Sequence, residues 1–249
     1  MLEQISLLLI SVISNIFSAF SGGGAGVVQL PAILLLFNIT FIDALTIHKI
    51  ATVALGVGAT SKFSKIIKFE RRLVLKLLLV GLPGVLLGTQ IISSVNDQHA
   101  RILLGLLIVA ISLYSFKTKS YGEVEYKYSN TVTNNLVGGI LIFSTGLLNG
   151  SLSAGTGLIF TIILISWYGM DYKKAIAYTL IIVGIFYNAA GAITLGIIAD
   201  IQWLLLPALI IGSLIGGYLG AMLSLSKSNR TIKNVYQIIT ITVGISLIL

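Results

Sequence analysis

The chain has 249 residues, a mean hydropathy of +1.02, 56% hydrophobic residues and only 10% charged ones. A soluble domain averages roughly 45–50% apolar and 25% charged residues, so soluble classes are excluded and a polytopic membrane protein is expected. The formal charge of +8 does not imply nucleic acid, because the cations fall between apolar runs and mark topology; the absence of cysteine excludes disulfides and thiolate metal sites.

In chain order, apolar runs fall at 5–20, 27–37, 41–61, 72–92 and 99–116, then at 134–149, 158–169, 174–195, 201–222 and 232–249. The expected fold is all-α, with two inverted repeats of five segments each. An N-terminal transmembrane repeat over 1–117 and a C-terminal one over 133–249 are joined by a cytoplasmic linker over 118–132, all within one integral membrane domain. Met1-Leu2-Glu3-Gln4 lacks a positive n-region and no small-residue cleavage site ends the first run, so that run is expected to stay as a helix.

The first run ends in Ser21-Gly22-Gly23-Gly24-Ala25-Gly26, and the sixth in Ser151-Leu152-Ser153-Ala154-Gly155-Thr156-Gly157. Each break precedes a run of about a dozen residues, which at ~1.5 Å per residue reaches about half of a ~30 Å hydrocarbon core. The first two segments of each repeat are therefore expected to form a short glycine-broken hairpin. Within a bilayer, unwound backbone is tolerated only where protein shields it or where it lines a cavity, so the repeated break points to a substrate site. Helices starting near Val27 and Leu158 would aim free N–H groups and positive dipole ends into the breaks, forming an anion cradle. The substrate-binding candidates are Ser21, Gly22, Gly23, Gly24, Gly26, Gln29, Asn149, Ser151, Ser153, Gly155, Thr156 and Gly157. The glycines permit positive φ and close approach, and the side chains offer neutral hydrogen bonds.

The third run carries His48 and Lys49. Lys49 lies about eight residues inside the Phe41 end, a depth at which a charge normally faces a cavity. It is a further substrate-binding candidate; snorkelling outward, or balance with Asp43, is the alternative. His48 points roughly 100° away around the helix and is a candidate proton relay or a hydrogen-bonded structural residue. In the second half, Tyr178, Thr179, Tyr187 and Asn188 are candidate cavity groups, with Asn188 counted among the substrate-binding residues. Gly81, Gly84 and Gly88, and likewise Gly212, Gly216 and Gly220, have the spacing of helix-packing devices.

Six cations, Lys62, Lys65, Lys68, Arg71, Arg72 and Lys76, follow the third run, whereas the corresponding connection in the second half holds only Asp200. The positive-inside rule puts the two connections on opposite sides. Extended along the chain, it places fourteen of the sixteen cations in the cytoplasm and both termini outside. At a constant offset of 131, Gly24 meets Gly155, Gly26 meets Gly157, Ala44 meets Ala175 and Gly81 meets Gly212.

Phe20-Ser21-Gly22-Gly23-Gly24-Ala25-Gly26 leading into Leu30-Pro31, the Ala44 position, and Gly155-Thr156-Gly157 together resemble the TauE/SafE family of sulfite-exporter-type permeases, over nearly the whole chain. The resemblance implies a carrier of sulfite, organosulfonates or thiosulfate in the cell inner membrane. Lys49 and His48 match no signature of that family and rest on physical argument alone. The expected function is secondary transport of such anions by alternating access of the two repeats, in a multi-pass protein of the cytoplasmic membrane, with no enzymatic activity, cofactor or metal. The expected partners are a small anion and the lipid bilayer, with lipid-facing glycine surfaces on which a homodimer can form. Two alternatives stay open, a passive anion channel and an intramembrane hydrolase using Ser151 or Ser153 with His48 as base. Export is the default direction, since the membrane potential contributes about 2.3 kcal/mol per 100 mV for each net negative charge.

Overall fold

The computed structural model describes residues 2–115, 125–126, 131–232 and 234–235, which form helices joined by short connections. The helices are α1 (Leu2–Ser21), α2 (Ala25–Leu36), α3 (Phe41–Phe63), α4 (Arg71–Ser93), α5 (Asp97–Ser115), α6 (Val132–Ser151), α7 (Thr156–Ser166), α8 (Tyr172–Leu195) and α9 (Leu206–Ser226). Of these, α1, α3, α4, α8 and α9 are long and apolar enough to cross a membrane. By contrast α2 and α7 have 12 and 11 residues, a reach of about 18 and 16 Å. Most of the expected linker and of the last run, 232–249, lies outside the described residues. Within the linker, Glu125 pairs with Lys174 at 3.0 Å and the Tyr126 amide donates to the Gly169 carbonyl at 2.9 Å.

Local chemistry sets the helix starts in the same way in both halves. Thr40 caps α3 by accepting from the Asp43 amide, and Asp171, 131 positions later, caps α8 by accepting from the Lys174 amide. Both α2 and α7 follow a left-handed glycine, Gly24 at φ 107° and Gly155 at φ 71°, again 131 positions apart. They start two residues earlier than Val27 and Leu158, because the residue after each of these glycines has already returned to the right-handed helix. Helix α9 starts at Leu206 rather than at 201; Pro207 sits in its first turn, where an absent N–H leaves no helical bond unmade.

Packing is reciprocal between the halves, with α1 lying along α9 and α6 along α4. The glycine rows make these contacts close. A Cβ on Gly84 or Gly88 would lie 2.3 Å from the Phe143 oxygen or 2.1 Å from the Leu147 oxygen; on Gly216 or Gly220 it would lie 2.6 Å from the Val12 oxygen or 2.3 Å from the Ile16 oxygen. Backbone-to-backbone approach of this kind gives dispersion contact where lipid offers no hydrophobic drive for helix association. Helix α3 packs on α9 and on the middle of α8, where Leu180–Tyr187 is π-wound and Gly184 meets Gly56. A π segment releases backbone groups from the regular ladder and marks functional positions in many helices. Here Asn188 Nδ2 donates to the Val183 carbonyl at 2.7 Å within that segment.

Candidate functional site

The two breaks meet in the interior. A Cβ on Gly23 would fall 2.5 Å from the Gly157 carbonyl carbon, and one on Gly26 would fall 2.8 Å from Ala154 Cα and 2.9 Å from His48 Nε2. Only glycine allows the chain starts of α2 and α7 to approach this closely, and Gly22, Gly23 and Gly24 also take φ values of 94°, 133° and 107°. Ser153 holds a left-handed φ of 60° in the second break, unfavourable backbone of the sort that functional sites tolerate.

Beside this junction lies a cavity of about 30 Å³. Of the candidates from sequence, Gly23, Gly24, Gly26, His48, Asn149, Ser153, Gly155, Thr156, Gly157, Thr179 and Asn188 line it. Sequence reasoning passed over Ser18, Ala25, Thr52, Leu55, Leu180, Val183 and Gly184, which also line it. Two signals were available: Thr52 is one helical turn from His48, and Ser18 lies 131 positions before Asn149. The wall itself repeats at that offset, through Ser18 and Asn149, Gly24 and Gly155, Ala25 and Thr156, Gly26 and Gly157, His48 and Thr179, and Thr52 and Val183.

Seven candidates lie off the cavity wall, five of them among the substrate-binding candidates. Ser21 Oγ donates to the Phe17 carbonyl at 2.7 Å, and Ser151 Oγ donates to the Leu147 carbonyl at 3.0 Å, each within its own helix. Gly22 offers its carbonyl to Thr161 Oγ1 at 2.6 Å, which ties the first break to α7. Gln29 and Lys49 stand directly behind wall residues. Lys49 is fully buried and donates from Nζ to the Asn149 carbonyl oxygen at 2.6 Å and to Asn149 Oδ1 at 3.4 Å. It neither snorkels nor pairs with Asp43, whose carboxylate instead accepts from Thr40 Oγ1 at 2.7 Å and from the Asp200 amide at 2.8 Å. The ammonium therefore sits on the last turn of α6, where the dipole is negative, and steers Asn149. Asn149 Nδ2 in turn donates to Thr156 Oγ1 at 3.1 Å and to Asn188 Oδ1 at 3.4 Å.

Tyr178 and Tyr187 face elsewhere. The Tyr178 hydroxyl accepts from the Glu70 amide at 2.7 Å, and the Tyr187 hydroxyl donates to the Leu77 carbonyl at 2.9 Å. The serine–histidine dyad does not form: Ser153 Oγ donates to Asn188 Oδ1 at 3.3 Å, while the His48 ring meets Gln29 and Thr52.

The cavity is rich in donors. Among the described residues, the amides of Gly24, Ala25, Gly26, Gly155 and Gly157 have no hydrogen-bond acceptor, and the Ser18 hydroxyl lines the same cavity. The amides are first-turn groups that a helix cannot satisfy internally, and they lie at the positive ends of two dipoles. With the buried Lys49 charge behind them, they suit an anion and repel a cation.

A bundle of long apolar helices that encloses such a cavity between two broken segments has the architecture of a multi-pass membrane transporter. The chain belongs to the sulfite exporter TauE/SafE family, whose model matches residues 7–247. It is similar to a probable membrane transporter protein of Haemophilus influenzae, 25% identical over 228 residues that span 91% of this chain and 87% of the relative. It is also similar to the probable membrane transporter protein YunE of Bacillus subtilis, 24% identical over 267 residues covering 97% and 96% of the two chains. A probable membrane transporter protein ORF9 of a Sinorhizobium species is 23% identical over 243 residues, 97% of this chain and 91% of its own. No solved structure matches the chain.

Proposed function

We propose that the protein is a secondary carrier of small sulfur-containing oxyanions in the cytoplasmic membrane, working by alternating access of two inverted repeats around the cavity. The observation that carries this is the convergence of two helix starts, with unpaired amides and a fully buried Lys49, on one cavity whose wall repeats at the offset relating the two halves. An oxyanion takes up several N–H donors at once, and its charge is the natural complement of a lysine that has no carboxylate partner among the described residues. Sulfite, sulfonates and thiosulfate are the candidates consistent with the family's description.

The inversion of the repeats rests on the charge pattern, with six cations after α3 against one aspartate after α8. Each half contributes one short helix start, so that in each of two states one half can seal the cavity while the other opens it. The test is uptake of labelled sulfite into liposomes holding the purified protein, with unlabelled sulfonates, thiosulfate, sulfate and acetate as competitors. Saturable counterflow blocked by sulfur anions and stimulated from the opposite side supports a carrier. Saturable flux with no stimulation from the opposite side supports a channel, and no counterflow with any sulfur oxyanion overturns the substrate assignment.

A further inference from the structure

Among the described residues His48 is the one ionisable residue on the cavity wall, and its ring is held by a buried network that fixes its protonation pattern. Ser11 Oγ donates to the Leu209 carbonyl at 2.9 Å, so Gln29 presents its amide nitrogen to Ser11 Oγ, also at 2.9 Å. Asn15 Nδ2 donates to the Ser11 carbonyl at 2.7 Å and to Ser213 Oγ at 2.9 Å, completing the assignment of donors around the two serines. Gln29 Oε1 is left as an acceptor 2.8 Å from His48 Nδ1, which therefore carries the proton of the neutral ring. On the opposite edge, Nε2 bears a lone pair. Thr52 Oγ1 lies 3.4 Å from it but gives its hydrogen to the His48 carbonyl at 2.8 Å. A donor-rich cradle for anions is thus interrupted at one point by an acceptor that repels an anion.

We infer that His48 takes up one proton at Nε2 together with the anion, so that the protein moves each anion with a proton; this rests on the transport function proposed above. The proton comes from the water on the side to which the cavity is open. It converts Nε2 from a lone pair into an N–H donor for an anion oxygen and adds a positive charge beside the cradle. When the cavity opens to the other side, the anion leaves and Nε2 returns the proton to that water, while Nδ1–H stays on Gln29 throughout. The nearest charged group is Lys49, next to His48 on α3, whose ammonium opposes a second positive charge on the ring until the anion offsets it; the charged groups of the other elements are engaged elsewhere. Lys49 is turned to Asn149, Asp43 to the Asp200 amide, Asp97 to Arg101, Lys174 to Glu125 and Lys173 to the Leu225 carbonyl. Tyr178, Tyr187 and Tyr218 bond at Glu70, Leu77 and Lys62, so among the described residues no other ionisable group lines the wall beside His48.

The test uses the full-length protein in liposomes with the membrane potential clamped at zero, and labelled thiosulfate or sulfoacetate, whichever gives counterflow, since both stay ionised around neutrality. With acid outside, the anion should accumulate about tenfold for each unit of pH difference if one proton accompanies it. A dye inside the vesicles should report proton entry when either anion is added outside. His48→Gln should lower counterflow, and the flux that remains should lose its response to the pH gradient. Counterflow in the natural protein without gradient-driven accumulation or proton entry overturns proton coupling and leaves the carrier standing; a gradient response retained in His48→Gln moves the coupling to another residue. Absence of any counterflow overturns both.

Discussion

Gly26→Ala is the sharpest single perturbation of the cradle. Gly26 lies inside α2 with ordinary helical backbone, so alanine carries no conformational penalty and by propensity alone would stabilise the helix by about 1 kcal/mol. The steric effect runs the other way. The added Cβ would lie 2.8 Å from Ala154 Cα, 3.2 Å from Ala154 N and 2.9 Å from His48 Nε2, against an ordinary carbon contact of about 3.5–4.0 Å. Relief requires the start of α2 to retreat by roughly 1 Å, and overpacking of that kind costs about 1–3 kcal/mol. The net loss of stability is therefore small, whereas the donors of the two breaks move apart by about the distance that can cost a positioned site on the order of a hundredfold. Gly105→Ala in α5 adds the same methyl where nothing lies within 4 Å and serves as the control. Counterflow and thermal melting in detergent would be measured for both. The expected result is a tenfold to hundredfold loss of counterflow for Gly26→Ala with a melting temperature close to that of the natural protein, and no change for Gly105→Ala. Equal counterflow in the two variants would refute the junction of the breaks as the substrate site.

Lys49→Met removes the buried charge while keeping most of the volume. At an effective dielectric of ~20, a charge about 8 Å from a bound monoanion contributes on the order of 2 kcal/mol, so half-saturation should rise roughly thirtyfold in a counterflow titration, and an unchanged value would remove Lys49 from anion binding. Tyr187→Phe deletes the bond to the Leu77 carbonyl and should lower stability by about 1 kcal/mol, read by thermal melting, with counterflow preserved because the hydroxyl faces α4 and not the cavity. For topology, single cysteines at Gln4 and Ser94 should react with an impermeant thiol reagent from outside intact cells, and one at Ser228 only after permeabilisation; labelling of the 228 site from outside would overturn the proposed orientation.

The parts of the fold legible in the sequence were those with a strong local cause. Uninterrupted apolar runs became α1, α3, α4, α8 and α9, and the two glycine clusters became the two interruptions, since no other residue holds φ near 100° without strain. The glycine rows of α4 and α9 were readable as packing faces because their spacing places them on one side of a helix. The depth of Lys49 was readable, but its partner was not. A backbone carbonyl at Asn149 carries no signal in sequence, and only the contact of α3 with the end of α6 brings the two together. Tyr178 and Tyr187 misled for the same reason: a tyrosine in an apolar run announces that its hydroxyl needs a partner, without saying that backbone at Glu70 and Leu77 supplies it. The π winding of Leu180–Tyr187 was invisible because an aliphatic run has the same composition in either helix.

The cavity combines a repeated scaffold with unrepeated chemistry. Backbone features recur at the offset of 131: the left-handed glycines Gly24 and Gly155, the open amides after them, and Gly26 and Gly157. The side chains do not recur, since Ser18 faces Asn149 across the relation, Ala25 faces Thr156, His48 faces Thr179, and Lys49 corresponds to Leu180. In the proposed carrier, donors from the main chain come with the fold and would hold an anion in either of two related arrangements. The charge of Lys49 and the imidazole of His48 exist once, both on α3, so the two arrangements differ in energy even around the same ligand. An exchange between them, as proposed, would carry a polarity that a perfectly repeated site lacks, and α3 is the element in which that polarity would reside.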